Sequence, residues 1–206
     1  MDMKPYLNIL SSILFTGLAF SSSTSAQNTL AGELKSVEDK VIEWRRHFHQ
    51  NPELSNREFE TAKTIAAHLK SLGLEVETDI AYTGVVGLLK GGQKGKTVML
   101  RADIDALPVT EQTDVPFKSL KTTEYRGVPT GIMHACGHDT HIAMLMGAAE
   151  ALTKQKEQLK GNVIFVFQPA EEGAPPGEEG GAELMIKQGL LKKYKPDVAF
   201  GIHTTS

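Results

Sequence analysis

Three histidines and the chain's single cysteine fall within eight residues, His134-Ala-Cys136-Gly-His138-Asp139-Thr-His141. Thiolate and imidazole are good ligands for zinc and its transition-row neighbours. Residues two apart in an extended segment point to the same side, so Cys136 and His138 can face one ion, and Gly137 between them permits a tight turn. Asp139 has two readings: it caps the helix that follows, or it holds a ligating imidazole in the required tautomer. The competing account is a buried thiol among surface histidines; the density of donors weighs against it.

Two groups of carboxylates and one further histidine could join this cluster. Asp103 and Asp105 lie in Arg101-Ala-Asp-Ile-Asp-Ala-Leu-Pro108, just past an apolar run. Alone, such acids are more often loop caps or solvated turns. Glu171 and Glu172 follow the apolar run Asn162 to Phe167 directly and are flanked by Pro169 and Gly173. Adjacent glutamates are usually a solvated charge pair. Metal-dependent hydrolysis, however, needs two different carboxylates, one to bind metal and one to take a proton from water, and a bent loop can split those roles. His203, in Gly201-Ile-His203, gains meaning only as a member of such a set.

The elements that must position these residues alternate along the chain. Leu34, Val37, Val41 and Trp44 recur at near-helical spacing, which predicts a helix over 33–50 ended by Asn51-Pro52. A second helix is expected over 57–72 with Gly73 as its stop, then strands over 74–79, 84–89 and 97–100 with Gly91-Gly92 and Gly95 turning between the last two. The segment 107–133 holds three prolines and has no period, so it reads as a long ordered loop. A helix over 139–153, a buried strand over 162–167, a short helix over 180–188 closed by Gly189 and a last strand over 197–202 complete the pattern. This is an α/β chain with a twisted, mostly parallel sheet flanked by helices. In such sheets ligands bind beyond the carboxyl ends of the strands, where these polar clusters fall.

The 206 residues suffice for one domain with a core, and 40% hydrophobic and 23% charged residues are ordinary for a globular protein. A net charge of −3 and scattered basic residues give no footprint for nucleic acid; Lys192, Lys193 and Lys195 read as a solvated face. Lys4, an apolar run from Tyr6 to Phe20 and the small residues Ser21 to Ala26 have the layout of a secretory signal. Residues 1–26 are therefore expected to be removed on export to the periplasm or medium, leaving 27–206 with no stable membrane anchor. A lone thiol in an oxidising compartment then calls for burial, intermolecular pairing or metal ligation.

The four motifs, in this order, resemble those of the co-catalytic-metal amidohydrolases that include hippurate hydrolases, indole-acetyl amino acid hydrolases, N-acyl amino acid amidohydrolases and related carboxypeptidases. Arg45-Arg46, His49, Pro52-Glu-Leu-Ser55 and Glu58 resemble the entry helix of that family. The resemblance implies that Cys136 bridges two divalent transition-metal ions, with His138, Glu172 and His203 as further ligands. It implies that Glu171 is the general base and that Asp103 is the acid behind the metals. Zinc comes first by ligand softness, with manganese, cobalt and nickel open. The implied substrate is an N-acyl amino acid or dipeptide, and the implied full-length assembly is a homodimer. Family members are longer, and the chain ends three residues after His203. It is thus expected to be the N-terminal part of the catalytic domain, ending before an inserted dimerisation domain and having little activity alone. The alternatives are a metal-holding remnant or binding module, and a thiol protein built on Cys136 that lacks a resolving cysteine.

Overall fold

The computed structural model describes residues 30–204, so the expected signal segment lies outside the described residues. Helical backbone over 30–36 leads through a turn at Val37 into α1 (Glu38–Gln50). There follow α2 (Phe59–Ser71), β1 (Glu75–Ile80), β2 (Gly84–Lys90), β3 (Gln93–Asp103), β4 (Thr122–Tyr125), β5 (Val128–Gly131), α3 (His138–Lys154), β6 (Lys160–Gln168), α4 (Gly181–Lys187), α5 (Leu190–Tyr194) and β7 (Val198–Gly201).

The five-stranded sheet has the order β1-β2-β6-β3-β7. β2 is antiparallel to both β1 and β6, whereas β3 is parallel to β6 and to β7. Four strands therefore run one way and β2 alone runs back, which is the α/β, mostly parallel architecture expected. The parallel trio β6-β3-β7 delivers Asp103, Gln168 and Gly201 to the same edge.

The apolar run of β6 is buried on both faces. Val163, Phe165 and Phe167 join Phe48, Ile65, Leu69, Ile142 and Met146 under α1–α3, while Ile164 and Val166 join Met185 and Leu190 under α4 and α5. Each fully buried side chain of this size contributes about 1.5–3 kcal/mol by leaving water. Acidic residues Glu38 and Asp39 start α1 and histidines end it, matching the helix dipole. The first turn of α2 is capped from outside: Glu60 and Thr61 donate their backbone N–H groups to the Glu53 carboxylate at 3.2 and 2.8 Å. Among the described residues no helix is long and apolar enough to cross a membrane.

Three expectations change. The segment 107–133 is not one loop: β4 and β5 form a hairpin within it, turned by Arg126 and Gly127, both at positive φ (53° and 78°). Pro129 and the run of threonines masked its alternation, because a proline is tolerated only where its missing N–H faces away from the ladder. β3 also extends well beyond 97–100, since Gln93 already pairs with Lys160 across an irregularity, and the short helix α5 follows Gly189 where none was foreseen.

Candidate metal centre

Asp103 ends β3 fully buried, against an Arg101 guanidinium N–H at 2.7 Å and His141 Nδ1 at 2.5 Å. Burial alone would raise its pKa, but His141, His138 and Arg101 together hold it below the usual aspartate value. His141 Nε2 accepts the Thr204 N–H at 2.9 Å, so the network puts the ring proton on Nδ1, donating to Asp103.

Asp105, two residues further on, lies behind the His138 ring. His138 Nδ1 donates to the Asp105 backbone carbonyl at 2.8 Å and lies 3.2 Å from its carboxylate. Asp103, the last residue of β3, is instead 3.6 Å from Nε2 of that ring, so the two acids meet different nitrogens of His138. The Asp105 carboxylate also accepts the Ser55 hydroxyl at 2.8 Å and the Glu172 N–H at 3.0 Å.

The His134–His141 segment enters α3 through Gly137 at φ 83°, where a Cβ would strike the Thr204 hydroxyl. Cys136 Sγ lies 3.6 Å from Nε2 of the exposed His203. Asp139 neither caps α3 nor touches a ligand; it accepts Arg45 Nε–H at 3.0 Å and pairs with His49 Nδ1 at 2.9 Å. His134 is buried with no partner for either ring nitrogen, and burial pushes its pKa down to about 4.

After β6, Ala170 turns at φ 49° and Gly173 at φ 108°, and the glutamates between them face back to His138. Carboxylate oxygens of Glu171 and Glu172 lie 3.6 and 3.8 Å from His138 Nε2. A cleft of about 750 Å³ opens on the Cys136 and His203 side, with Arg45, Glu111, Phe117 and His134 also in its walls.

The electrostatics favour a cation. Burial, Glu172, Glu171 and Asp103 push the Cys136 thiol up to about 11. Burial opposes charge on His138, yet Asp105 and Asp103 raise its pKa. Both shifts express convergent negative charge that a metal would neutralise, with the thiol then binding as thiolate. Nε2 of His138 is buried without a hydrogen-bond partner, the state of an imidazole nitrogen kept for a ligand. Two overlapping donor sets have all their atoms within 4.8 Å of one another: Cys136, His138 and His203, and Asp103, His138, Glu171 and His203. The residues present therefore fit a transition-metal centre. Of the residues singled out from sequence, Cys136, His138, His203, Asp103 and Glu171 are brought together in these sets; Glu172 stands outside both but within 4 Å of His138, which both contain. Asp105, His141 and Asp139 stood in the sequence clusters without an assigned partner, and the pairing of Asp139 with His49 was not foreseen. The spacing of His138 and His141, one helical turn apart, was a signal for His141.

The chain is thus an open α/β sheet with thiol, imidazole and carboxylate groups gathered at the carboxyl ends of its strands. The model of Peptidase family M20/M25/M40 matches residues 99–206, and the chain belongs to that family. It is 48% identical over 178 residues to Thermostable carboxypeptidase 2 of Saccharolobus solfataricus, covering 86% of this chain and 42% of the relative. It is 43% identical over 174 residues to Hippurate hydrolase of Campylobacter jejuni, covering 84% and 42%. Among solved structures it resembles the Bacillus subtilis YXEP protein, described as a dinuclear metal binding peptidase from the M20 family. That likeness has a TM-score of 0.72 and 40% identity over 83% of this chain and 44% of that one. The chain thus spans less than half the length of these relatives.

Proposed function

We propose that this chain is the metal-binding part of an exported hydrolase that cleaves the amide bond of N-acyl amino acids or small peptides. The observation that carries the reading is the bare, buried Nε2 of His138 facing two adjacent glutamates beside the Cys136–His203 pair. Cys136, His138, Glu172 and His203 would hold two divalent ions, zinc first because a thiolate is among the donors, with manganese, cobalt or nickel as alternatives. When bound, such ions polarise the amide carbonyl and make water acidic enough to give up a proton near neutral pH.

Glu171 does the proton work. Its side chain is open to solvent, so it can take a proton from water as the water oxygen attacks the carbonyl carbon. As the carbon–nitrogen bond breaks, the same carboxyl delivers that proton to the leaving nitrogen. Asp103, locked between Arg101 and His141, keeps its charge fixed behind this exchange.

The 206-residue chain alone has little turnover. His203 is exposed, and Val198, Phe200 and Ile202 around it are bare to solvent, so water is not excluded from that flank of the site. Relatives more than twice as long support a further portion that covers it, and the resemblance to this family supports a homodimer at full length. Export rests on the pattern of residues 1–26, with Gln27 as the first mature residue.

The test is hydrolysis of hippurate-like, acetylated and dipeptide substrates by the chain alone and by the chain continued with the C-terminal portion of the Saccharolobus relative. Only the continued chain should turn over, and Glu171→Gln should lower its rate roughly 10²–10⁴-fold. Unchanged turnover in that variant would sink the assignment of the base.

A further inference from the structure

Glu58 is a fully buried carboxylate outside the candidate metal centre. It stands immediately before α2 at the N-cap position, yet it makes no cap hydrogen bond. That task falls to Glu53, whose two carboxylate oxygens take the Glu60 and Thr61 N–H groups. The Glu58 side chain turns inward instead. One oxygen accepts the Ala170 N–H at 2.9 Å and the other the Thr83 hydroxyl at 2.5 Å.

Ala170 is the residue where the chain turns from β6 into the glutamate pair. It does so at φ 49°, a left-handed conformation that a residue with a Cβ adopts only when its surroundings enforce it. Gly180 and Gly181 crowd the same alanine: a Cβ on Gly181 would lie 2.9 Å from the Ala170 carbonyl oxygen and one on Gly180 would lie 3.1 Å from the Ala170 Cβ. Neighbouring residues of the Glu58 turn hold the rest of this region. Asn56 donates to the Glu178 carboxylate and the Glu179 carbonyl, Arg57 pairs with Glu178, and Ser55 reaches the Asp105 carboxylate that also receives the Glu172 N–H.

We infer that Glu58 is a positioning residue for the reaction: by fixing the Ala170 N–H it sets the turn from which Glu171 and Glu172 face His138. Residues 55–58 form one clamp that grips the aspartate loop after β3 on one side and the glutamate loop after β6 on the other. A neutral glutamine would fill the same space and accept from the same N–H, so acceptor geometry, not charge, is what the clamp requires. The metal arm of this inference rests on the proposed function; the conformational arm does not.

The test compares the whole chain with Glu58→Gln and Glu58→Ala by amide hydrogen exchange and by cobalt titration. Ala170 and Glu172 N–H groups should be protected in the unmodified chain and in Glu58→Gln, and should exchange about tenfold faster or more in Glu58→Ala, while Val163–Phe167 stay protected. Cobalt affinity should fall by a similar factor in Glu58→Ala and recover in Glu58→Gln. A fold-only role would not separate the loop amides from the strand amides. Thr83→Val, which removes only the second contact of the carboxylate, should act in the same direction and more weakly, and it serves if Glu58→Ala does not fold. Slow exchange at Ala170 in the disrupting variant overturns the clamp whether or not cobalt binds. Faster exchange with unchanged cobalt affinity overturns its link to the site. An unmodified chain that takes up no cobalt counts against the proposed function, and the exchange data then judge the clamp by themselves.

Discussion

Asp105 holds His138 from behind: the ring donates Nδ1–H to the Asp105 carbonyl at 2.8 Å, leaving Nε2 bare toward Glu171 and Glu172. The same aspartate accepts the Glu172 N–H at 3.0 Å, so one residue after β3 orients donors from α3 and from the loop after β6. Asp105→Ala removes the acceptor for both Ser55 and Glu172. Metal affinity is expected to fall roughly 10–100-fold, as for other residues that orient ligands. Isothermal titration with cobalt or zinc checks this, and an unchanged affinity would refute the link.

Asp139 ties α3 to α1 through Arg45 and His49. Asp139→Ala leaves Arg45 Nε and His49 Nδ1 without their shared partner, while His49 Nε2 keeps Glu111 at 2.9 Å, and is expected to cost about 1–3 kcal/mol of stability. Denaturant unfolding measures it; a loss no larger than that of a surface substitution would show the pair to be incidental.

Burial pushes the Glu58 carboxyl up to about 7 from an ordinary 4.5. The folded chain therefore holds this proton more tightly than the unfolded chain. The stability it contributes is fully present below about pH 4.5 and is lost as pH rises through about 7, by about 3 kcal/mol in all. Glu58→Gln has no such proton, so its stability relative to the unmodified chain should climb across that window and level off above it. Parallel stability curves would contradict the shift.

The Cys136 thiol, pushed up to about 11 by burial and by Glu172 with its neighbouring acids, should be a poor nucleophile in metal-free protein. Alkylation at pH 8 is expected to be roughly a hundredfold slower than for an ordinary cysteine and to rise with pH well past 9. A rate like that of free cysteine would show that the acids do not converge on the sulfur.

The strands and helices that frame the site were legible because their patterns are unambiguous. β6 is a run of Val, Ile and Phe too short for a helix of its own, and α3 carries its small and apolar residues at helical spacing. The candidate ligands stood out because a cysteine, histidines and paired glutamates cluster beside apolar runs in the sequence. What the sequence could not disclose is contact across long separations. Nothing local distinguishes Asp103 from Asp105, two residues apart; which nitrogen of His138 each one meets depends on where α3 packs. Glu58 likewise resembles any acid at a helix start, and its carboxylate's turn toward Ala170, 112 residues away, is a tertiary fact. The β4–β5 hairpin escaped because Arg126-Gly127 lacks the asparagine or aspartate that usually announces such a turn.

The central claim is that Cys136, His138, Glu172 and His203 hold metal, and metal content tests it most directly. Elemental analysis of the purified chain from Gln27 should find close to stoichiometric transition metal, and a Cys136→Ala, Glu172→Ala double variant should lose it. Equal metal in the two proteins would contradict the ligand assignment.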